Sequence, residues 1–249
     1  MKRWVMFSLV ILASLITGIG YYYYNYIYVS PNELKEMAIG ADTMAYNELM
    51  EKTGVRLSEG EFTYRVVVNP AGGGDDKGNT AGDLTESMTA LKVAKYMVEL
   101  NTDPELGIFL TRDTDTNPNR DQRDNIVTTV NPNMVIDIHV SAADDENVMG
   151  TTVYYDDGYY DYHLTNSKLS DIMEKATVTQ IEGVAAGIYP SDDEAYTFIH
   201  GRKIPAVAIS CGYITNVKEA EALKSDAYLR NMAAGILNGI EEVKSGKTD

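Results

Sequence analysis

The 249-residue sequence contains one cysteine, Cys211, and a chain with a single cysteine cannot form an intrachain disulfide bond. The residues before it, Ala-Val-Ala-Ile-Ser at 206–210, predict a buried strand. A thiol in such a strand is expected to be a packed side chain rather than a nucleophile. A cysteine–histidine hydrolase would also need a partner among only three histidines, His139, His163 and His200. The sequence therefore gives little support to thiol chemistry.

Basic residues are also scarce. There are 21 Lys and Arg against 37 Asp and Glu, which gives a formal net charge of −16. Two of the positive charges, Lys2 and Arg3, lie at the N-terminus. A surface of this sign repels nucleic acid and anionic lipid at ordinary salt, so we expect no nucleic-acid partner.

A long apolar run opens the chain. Residues 4–20 are apolar, and tyrosines at 21–24, 26 and 28 follow, which suit a membrane–water interface. No cleavage site of the Ala-x-Ala kind is clear. We predict that residues 1–30 form a signal anchor, a transmembrane helix that crosses the membrane through residues 4–28, with the domain on the extracytoplasmic side. A cleaved signal peptide is the alternative, and it leaves the domain on the same side.

The remaining sequence predicts one α/β domain. Residues 31–62 are polar with scattered apolar positions and predict a linker with short helices. From residue 63 to 245 strand and helix patterns alternate, which favours a mostly parallel sheet covered by helices. The predicted strands are 66–68, 107–110, 134–140, 151–155, 198–199 and 206–210. The predicted helices are 86–100, about 124–130, one around 169–176 and one around 229–243.

The stretch Arg65–Gly78 is the most informative part of the domain. Three valines at 66–68 predict a strand buried on both faces, and Asn69-Pro70 with three glycines end it in a steep loop. Loops at the carboxyl ends of such strands commonly bind ligands. A phosphate-binding loop is excluded, since the required lysine is absent and two aspartates would repel phosphate. We therefore expect a functional loop of another kind.

Five motifs in order give a more specific indication. They are Asn-Pro-Ala-Gly-Gly-Gly-Asp-Asp-Lys-Gly at 69–78, Glu86 at a helix start, Thr-Arg-Asp-Thr-Asp at 111–115, Asp-Ile-His-Val-Ser-Ala at 137–142 and Ile-Pro-Ala-Val-Ala-Ile-Ser-Cys-Gly-Tyr-Ile-Thr-Asn at 204–216. This set resembles the zinc-dependent N-acetylmuramoyl-L-alanine amidases, which cut the bond between muramic acid and the stem peptide of peptidoglycan. The resemblance covers residues 65 to 243.

The resemblance implies a twisted, mostly parallel six-stranded sheet flanked by helices. It also implies zinc held by two histidines and a glutamate, with a second glutamate as general acid/base. Two metal ligands fall on Glu86 and His139. The position of the other histidine is Gly72, and that of the catalytic glutamate is Ser210, while Asn69 replaces the usual aspartate.

These departures predict an incomplete metal site. Catalytic zinc normally takes three protein ligands, and Glu86 with His139 supplies two, so we expect zinc to be absent or weakly bound. A serine hydroxyl at 210 cannot replace a general base. We expect that returning His to position 72 and Glu to position 210 restores zinc binding. Glu86 is also compatible with a plain helix-start carboxylate, and His139 with a structural histidine.

Three functions remain open at this point. The first is an inactive, membrane-anchored amidase-like domain that binds peptidoglycan or a cell-wall protein, with tyrosines 159, 160 and 162 as possible stacking groups for sugars. The second is an active zinc amidase that recruits His163 or His200 as a substitute ligand. The third is a purely structural component of an envelope complex.

Overall fold

The computed structural model describes residues 62–158 and 164–247. The predicted membrane segment at 1–30, nearly all of the predicted linker, the tyrosines at 159, 160 and 162, and His163 lie outside these ranges. Within the described ranges, no helix is both long enough and apolar enough to cross a membrane.

The described residues form eight strands, five α-helices and one 3₁₀ helix. In chain order these are β1 Tyr64–Pro70, β2 Thr80–Ala81, β3 Leu84–Thr85, α1 Glu86–Leu100, β4 Leu106–Leu110, α2 Arg120–Val130, β5 Met134–Ser141, β6 Thr151–Tyr155, α3 Asn166–Ile181, β7 Ala185–Pro190, the 3₁₀ helix Glu194–Ile199, β8 Ala206–Tyr213, α4 Val217–Leu223 and α5 Asp226–Lys244.

Six strands form one sheet in the order β4-β1-β5-β8-β6-β7, and β2 pairs with β3 in a separate hairpin. Strands β4, β1, β5 and β8 are mutually parallel. Strand β6 runs antiparallel to β8, and β7 is parallel to β6. This confirms the predicted mostly parallel six-stranded sheet. All eight residues of β5 are buried, so β5 lies at the centre of the domain.

The sheet is covered on both faces. Ile136 and Ile138 of β5 belong to a core that α1, α3 and α5 complete. Val135 belongs to a second core, on the other face, that contains residues of α2 and the 3₁₀ helix. Because side chains alternate along a strand, Asp137 and His139 lie on the same side of β5 as Val135. The polar end of β5 therefore points toward α2 and the 3₁₀ helix.

Helix α1 starts and ends where the sequence predicts. Thr85 caps it, since its hydroxyl accepts a hydrogen bond from Met88 N at 3.3 Å, and Glu86 is its first residue. The strand predicted at 198–199 is wrong. Phe198 and Ile199 are buried, as a strand would have required, but they belong to a 3₁₀ helix capped by Asp193. A two-residue apolar run cannot separate a strand from a short helix.

The prediction for Cys211 is confirmed. Its side chain is fully buried in β8 as a free thiol. Burial in an apolar environment raises the pKa of the thiol to about 12. Cys211 is therefore a core residue.

Close contact between α3 and α5 yields a stability prediction. A Cβ added at Gly235 would lie 2.7 Å from the backbone Cα of Thr177. Helix propensity alone would make Gly235→Ala stabilising by about 1 kcal/mol. Because α3 must move to accommodate the methyl group, we expect a net loss of about 1–3 kcal/mol in the free energy of unfolding, measured by urea denaturation.

Gly239→Ala is the matched control on the same helix. Its added Cβ would meet the Sδ atom of Met173 at 2.7 Å, at the end of a flexible side chain that can turn aside. We expect this variant to be less destabilised than Gly235→Ala. Equal stability of the two variants would contradict the proposed packing of α5 on α3.

Candidate functional site

The cavity at the carboxyl ends of β1 and β5 has a volume of about 370 Å³. The loop after β1, the start of α1, the start of α2 and the 3₁₀ helix supply its other walls. This is the place where parallel α/β sheets present ligand sites. The sequence-predicted residues Gly72, Glu86 and His139 all line it, and Ser210 does not.

His139 is held between two carboxylates. Its Nδ1 atom lies 2.9 Å from Oε1 of Glu86 in a hydrogen bond, and its Nε2 atom lies 3.0 Å from Oδ2 of Asp137. The second contact is an ion-pair distance without good hydrogen-bond alignment, since Nε2 has no hydrogen-bond partner by angle within the described residues. All three side chains are at least nine-tenths buried. The carboxylates therefore occupy both nitrogens of the imidazole.

The two carboxylates favour the charged imidazole. Burial alone would lower the pKa of His139, but the charge of Asp137 and the hydrogen bond to Glu86 outweigh it and raise the pKa to about 10. Burial would raise the pKa of Glu86, and its hydrogen bond to His139 reverses this, so the pKa is lowered. The pair is therefore an imidazolium and a carboxylate at neutral pH.

Asn79 and the backbone complete the environment of Glu86. Its Oε2 accepts hydrogen bonds from N and Nδ2 of Asn79 at 2.9 and 3.1 Å. Its Oε1 also accepts a hydrogen bond from Val140 N at 3.2 Å. Asn79 in turn donates to the carbonyl of Val140 at 2.9 Å. Glu86 is thus fixed by the loop after β1 as well as by His139.

Asn69 links Asp137, the carboxylate beside His139, to Arg123. Its Nδ2 donates to Oδ1 of Asp137 at 2.6 Å, while its Oδ1 accepts hydrogen bonds from Thr111 and Arg123. An amide can donate to a carboxylate through its N–H and accept from a guanidinium through its oxygen, whereas an ionised carboxylate can only accept. An aspartate at position 69 would face Asp137 with no proton between them. The asparagine at this position is therefore matched to Asp137 on the neighbouring strand.

Gly72 cannot easily carry a side chain. Its φ is +61°, and an added Cβ would lie 2.7 Å from the carbonyl oxygen of Asp76. The turn is fixed by two reciprocal hydrogen bonds, Gly73 N to Asp76 O at 2.8 Å and Asp76 N to Gly73 O at 2.9 Å. A histidine at 72 would require this turn to move. The space at position 72 weighs against the expectation that histidine at 72 and glutamate at 210 restore zinc binding, which stays a prediction.

Ser210 is fully buried beside His139. The two residues are register partners on β8 and β5. The Ser210 hydroxyl accepts a hydrogen bond from Ser141 N at 3.0 Å and donates to the carbonyl of Gly212 at 3.3 Å. Ser210 thus tethers the ends of the two strands and does not reach the cavity.

Arg112 lies under the same loop and is fully buried. Its guanidinium donates hydrogen bonds to the backbone carbonyls of Pro70, Ala71, Ser87 and Thr114. It therefore joins the end of β1 to the start of α1, which makes its role structural.

Tyr196 of the 3₁₀ helix covers His139. The rings of Tyr196 and His139 meet edge to face, with centroids 4.9 Å apart. Tyr196 is also stacked on Tyr154, with ring centroids 4.3 Å apart. Burial raises the pKa of the Tyr196 phenol. The segment that the sequence misassigned as a strand therefore forms one wall of the cavity.

These residues do not fit a zinc site. Within the described ranges, no group of three or more His, Cys, Asp or Glu side chains is arranged to hold a metal ion. Both His139 nitrogens lie within 3.0 Å of carboxylate oxygens, so neither faces open space in which a metal ion could bind in this arrangement. His200, suggested as a substitute ligand, does not line the cavity.

Sequence reasoning found Glu86 and His139 but missed Asp137, Asn79 and Tyr196. A signal for Asp137 was present, because residues two apart on a strand share a face and Asp137 precedes His139 by two. No comparable signal marks Asn79 or Tyr196. Asn79 lies at the cavity because of the path of the loop after β1, and Tyr196 because of the position of the 3₁₀ helix.

Comparison with known proteins gives a consistent result. A sequence profile of the family described as N-acetylmuramoyl-L-alanine amidase matches residues 66–242. The "Probable cell wall amidase LytH" of Staphylococcus aureus is 27% identical over 179 residues, which are 71% of this chain. The match spans 57% of LytH, so the chain corresponds to little more than half of that relative.

Solved structures show the same fold. The catalytic domain of CwlV, an N-acetylmuramoyl-L-alanine amidase from Bacillus (Paenibacillus) polymyxa var. colistinus, superimposes with a TM-score of 0.66 and 25% identity, covering 74% of this chain and 99% of that domain. The CwlD amidase from Clostridioides difficile, solved in complex with the GerS lipoprotein, gives a TM-score of 0.62 and 21% identity over 74% of this chain and 99% of CwlD.

The charged state of His139 predicts a pH-dependent stability. Because its pKa is raised from the ordinary 6.5 to about 10, its stabilising contribution is complete below about pH 6.5 and is lost as the pH rises toward 10. Urea unfolding at pH 6, 8 and 10 should show a loss of more than about 1 kcal/mol across this range. His139→Asn should remove that part of the pH dependence, and His200→Asn, outside the cavity, should retain it. The same slope in wild type and His139→Asn would contradict the ion-pair arrangement.

Proposed function

The chain belongs to the N-acetylmuramoyl-L-alanine amidase family, and we propose that within this family it is an inactive member that binds peptidoglycan or a cell-wall protein instead of hydrolysing the muramoyl–alanine bond. The observation that supports this most directly is the contact of both His139 nitrogens with Glu86 and Asp137. A family ligand position has become one member of an internal ion-pair chain.

The chemistry that the family reaction needs is missing at two further positions. Bound zinc supplies hydroxide at neutral pH by lowering the pKa of water from ~15.7 to roughly 7. Here Gly72 offers no ligand atom, and the backbone of Asp76 occupies the space next to it. General acid/base assistance contributes about 10²–10⁴ in rate, and the Ser210 hydroxyl is buried, engaged in hydrogen bonds and without a suitable pKa.

Binding remains possible because the framework is intact. The cavity keeps a volume of about 370 Å³ at the ligand-binding end of the sheet. The structure of the CwlD amidase with the GerS lipoprotein indicates that a domain of this fold can also assemble with another protein. A protein partner is therefore the second candidate, in which the domain is a structural component of an envelope complex.

An active zinc amidase is the remaining alternative. It would need a substitute ligand, and His200 does not line the cavity. His163 lies outside the described residues, so this alternative depends on experiment.

The cellular location follows from the N-terminal sequence. We propose that residues 4–28 anchor the protein in the membrane with the amidase-like domain on the extracytoplasmic side, where peptidoglycan is found. The full chain should then remain in the membrane pellet after extraction at alkaline pH and be digested by protease added outside intact cells. Release by alkaline extraction would contradict the anchor.

Hydrolysis is tested with the purified full chain, zinc and muropeptides. We expect no release of stem peptide above the buffer background, and less than one equivalent of zinc by metal analysis, because one imidazole is missing and the other is held by carboxylates. The catalytic domain of CwlV serves as the positive control. The variant with Gly72→His and Ser210→Glu should also fail to reach one equivalent of zinc, since the Asp76 carbonyl and Asp137 remain in place.

Two outcomes would change the conclusion. Release of stem peptide by the wild-type chain would establish the active alternative. Failure to sediment with purified peptidoglycan, together with a stable protein partner in pull-down, would favour the structural role.

A further inference from the structure

The buried charged side chains of the cavity wall are already paired. Glu86, Asp137 and His139 are engaged with one another. Arg123 donates to Pro118 O, Asn69 Oδ1 and Gly72 O, among other acceptors, so its guanidinium is already committed. Buried groups satisfied in this way are costly to separate, so recognition must depend on groups nearer the rim.

The aromatic side chains of the described walls are also covered. Tyr196 is stacked on Tyr154, with ring centroids 4.3 Å apart, and meets His139 edge to face. Phe198 is almost completely buried and carries the guanidinium of Arg202 over its ring at 4.4 Å. Sugar rings are bound chiefly on open aromatic faces, and of the described lining aromatics Phe198 is buried while Tyr196 is half-buried with one face stacked on Tyr154. The cavity is therefore better suited to a peptide than to a glycan.

Arg120 is the exception to this closed arrangement. It lines the cavity from the first turn of α2, and its side chain is 47% exposed. Its Nε atom is bound to Asp124 Oδ2 at 2.8 Å, while its two Nη atoms have no hydrogen-bond partner among the described residues. Asn117 also lines the cavity and uses its Oδ1 to accept from Arg123, which leaves its amide N–H groups available.

A guanidinium whose two Nη atoms have no hydrogen-bond partner among the described residues, in a cavity that also presents an amide donor, is suited to a carboxylate. On a chain with a net charge of −16, a carboxylate is otherwise repelled, so this local cation selects the orientation of an anionic ligand. We propose that Arg120 binds a free carboxylate of a peptidoglycan stem peptide that enters the cavity without being cut. This assignment rests on the proposed wall-binding function and names the part of peptidoglycan that is recognised.

The test measures binding of two probes to the full chain by calorimetry. One probe is a short stem peptide with free carboxylates, and the other is the same peptide with its carboxylates amidated. We expect the free acid to bind about 10-fold more tightly than the amide, with the difference decreasing at high salt. Arg120→Gln should remove this difference, and Arg120→Lys should retain part of it, because lysine keeps the charge but not the two-pronged geometry.

Arg230→Gln is the matched control. Arg230 is an exposed arginine of α5, paired with Glu99, and does not line the cavity, so its loss changes the net charge equally without touching the proposed site. Asp76→Asn provides a second test, because Asp76 lines the cavity and its negative charge opposes a carboxylate. This variant should bind the free acid at least as tightly as wild type.

The outcomes separate this inference from the proposed function. Binding of intact peptidoglycan by wild type and Arg120→Gln alike, with equal affinity for acid and amide, would overturn the carboxylate site and leave wall binding standing. Weaker binding by Asp76→Asn would overturn it too, since the recognised group would then be a cation. If neither peptide nor peptidoglycan binds, the carboxylate site and the wall-binding form of the proposed function both fall, and the protein-partner form is left. If the chain binds only an acidic protein segment, the ligand of the Arg120 site is a protein partner, and the stem-peptide assignment is overturned.

Discussion

The ion pairs that join Glu86 to His139 and His139 to Asp137 decide which charged groups the buried part of the cavity can hold. Three ionisable side chains buried at the end of the central strand would be strongly destabilising if they were unpaired. They are tolerated because each one meets an opposite charge or a hydrogen-bond donor. The same pairing keeps both imidazole nitrogens in contact with carboxylates, so one arrangement satisfies burial and opposes metal binding.

This constraint extends to residues that do not touch His139. Asp137 needs a donor on its other oxygen, and Asn69 of the neighbouring strand supplies it. Arg123 then needs an acceptor, which the amide oxygen of Asn69 provides. Viewed in this way, Asn69 and Asp137 form a matched pair. The asparagine at 69 therefore suits its place between the Asp137 carboxylate and the Arg123 guanidinium.

The backbone of the loop after β1 is constrained as well. The left-handed φ of Gly72 and the reciprocal hydrogen bonds between Gly73 and Asp76 place a carbonyl oxygen where a side chain at 72 would begin. Position 72 therefore lies in a turn that only glycine accommodates without strain. The outer part of the cavity stays open to a ligand.

The sequence by itself determined the alternating α/β pattern with a mostly parallel sheet and both ends of α1, because these depend on local periodicity and capping, while motif order indicated the family. Only the tertiary structure decided that Asp137 and Tyr196 contact His139 while Asn79 holds Glu86, that Gly72 has little room for a side chain, and that residues 198–199 belong to a 3₁₀ helix. The physical reason is that these facts depend on contacts between segments far apart in the chain. A residue pattern gives the spacing along one strand or helix, and it does not give the distance between a loop carbonyl and a Cβ, or between two charges on different elements.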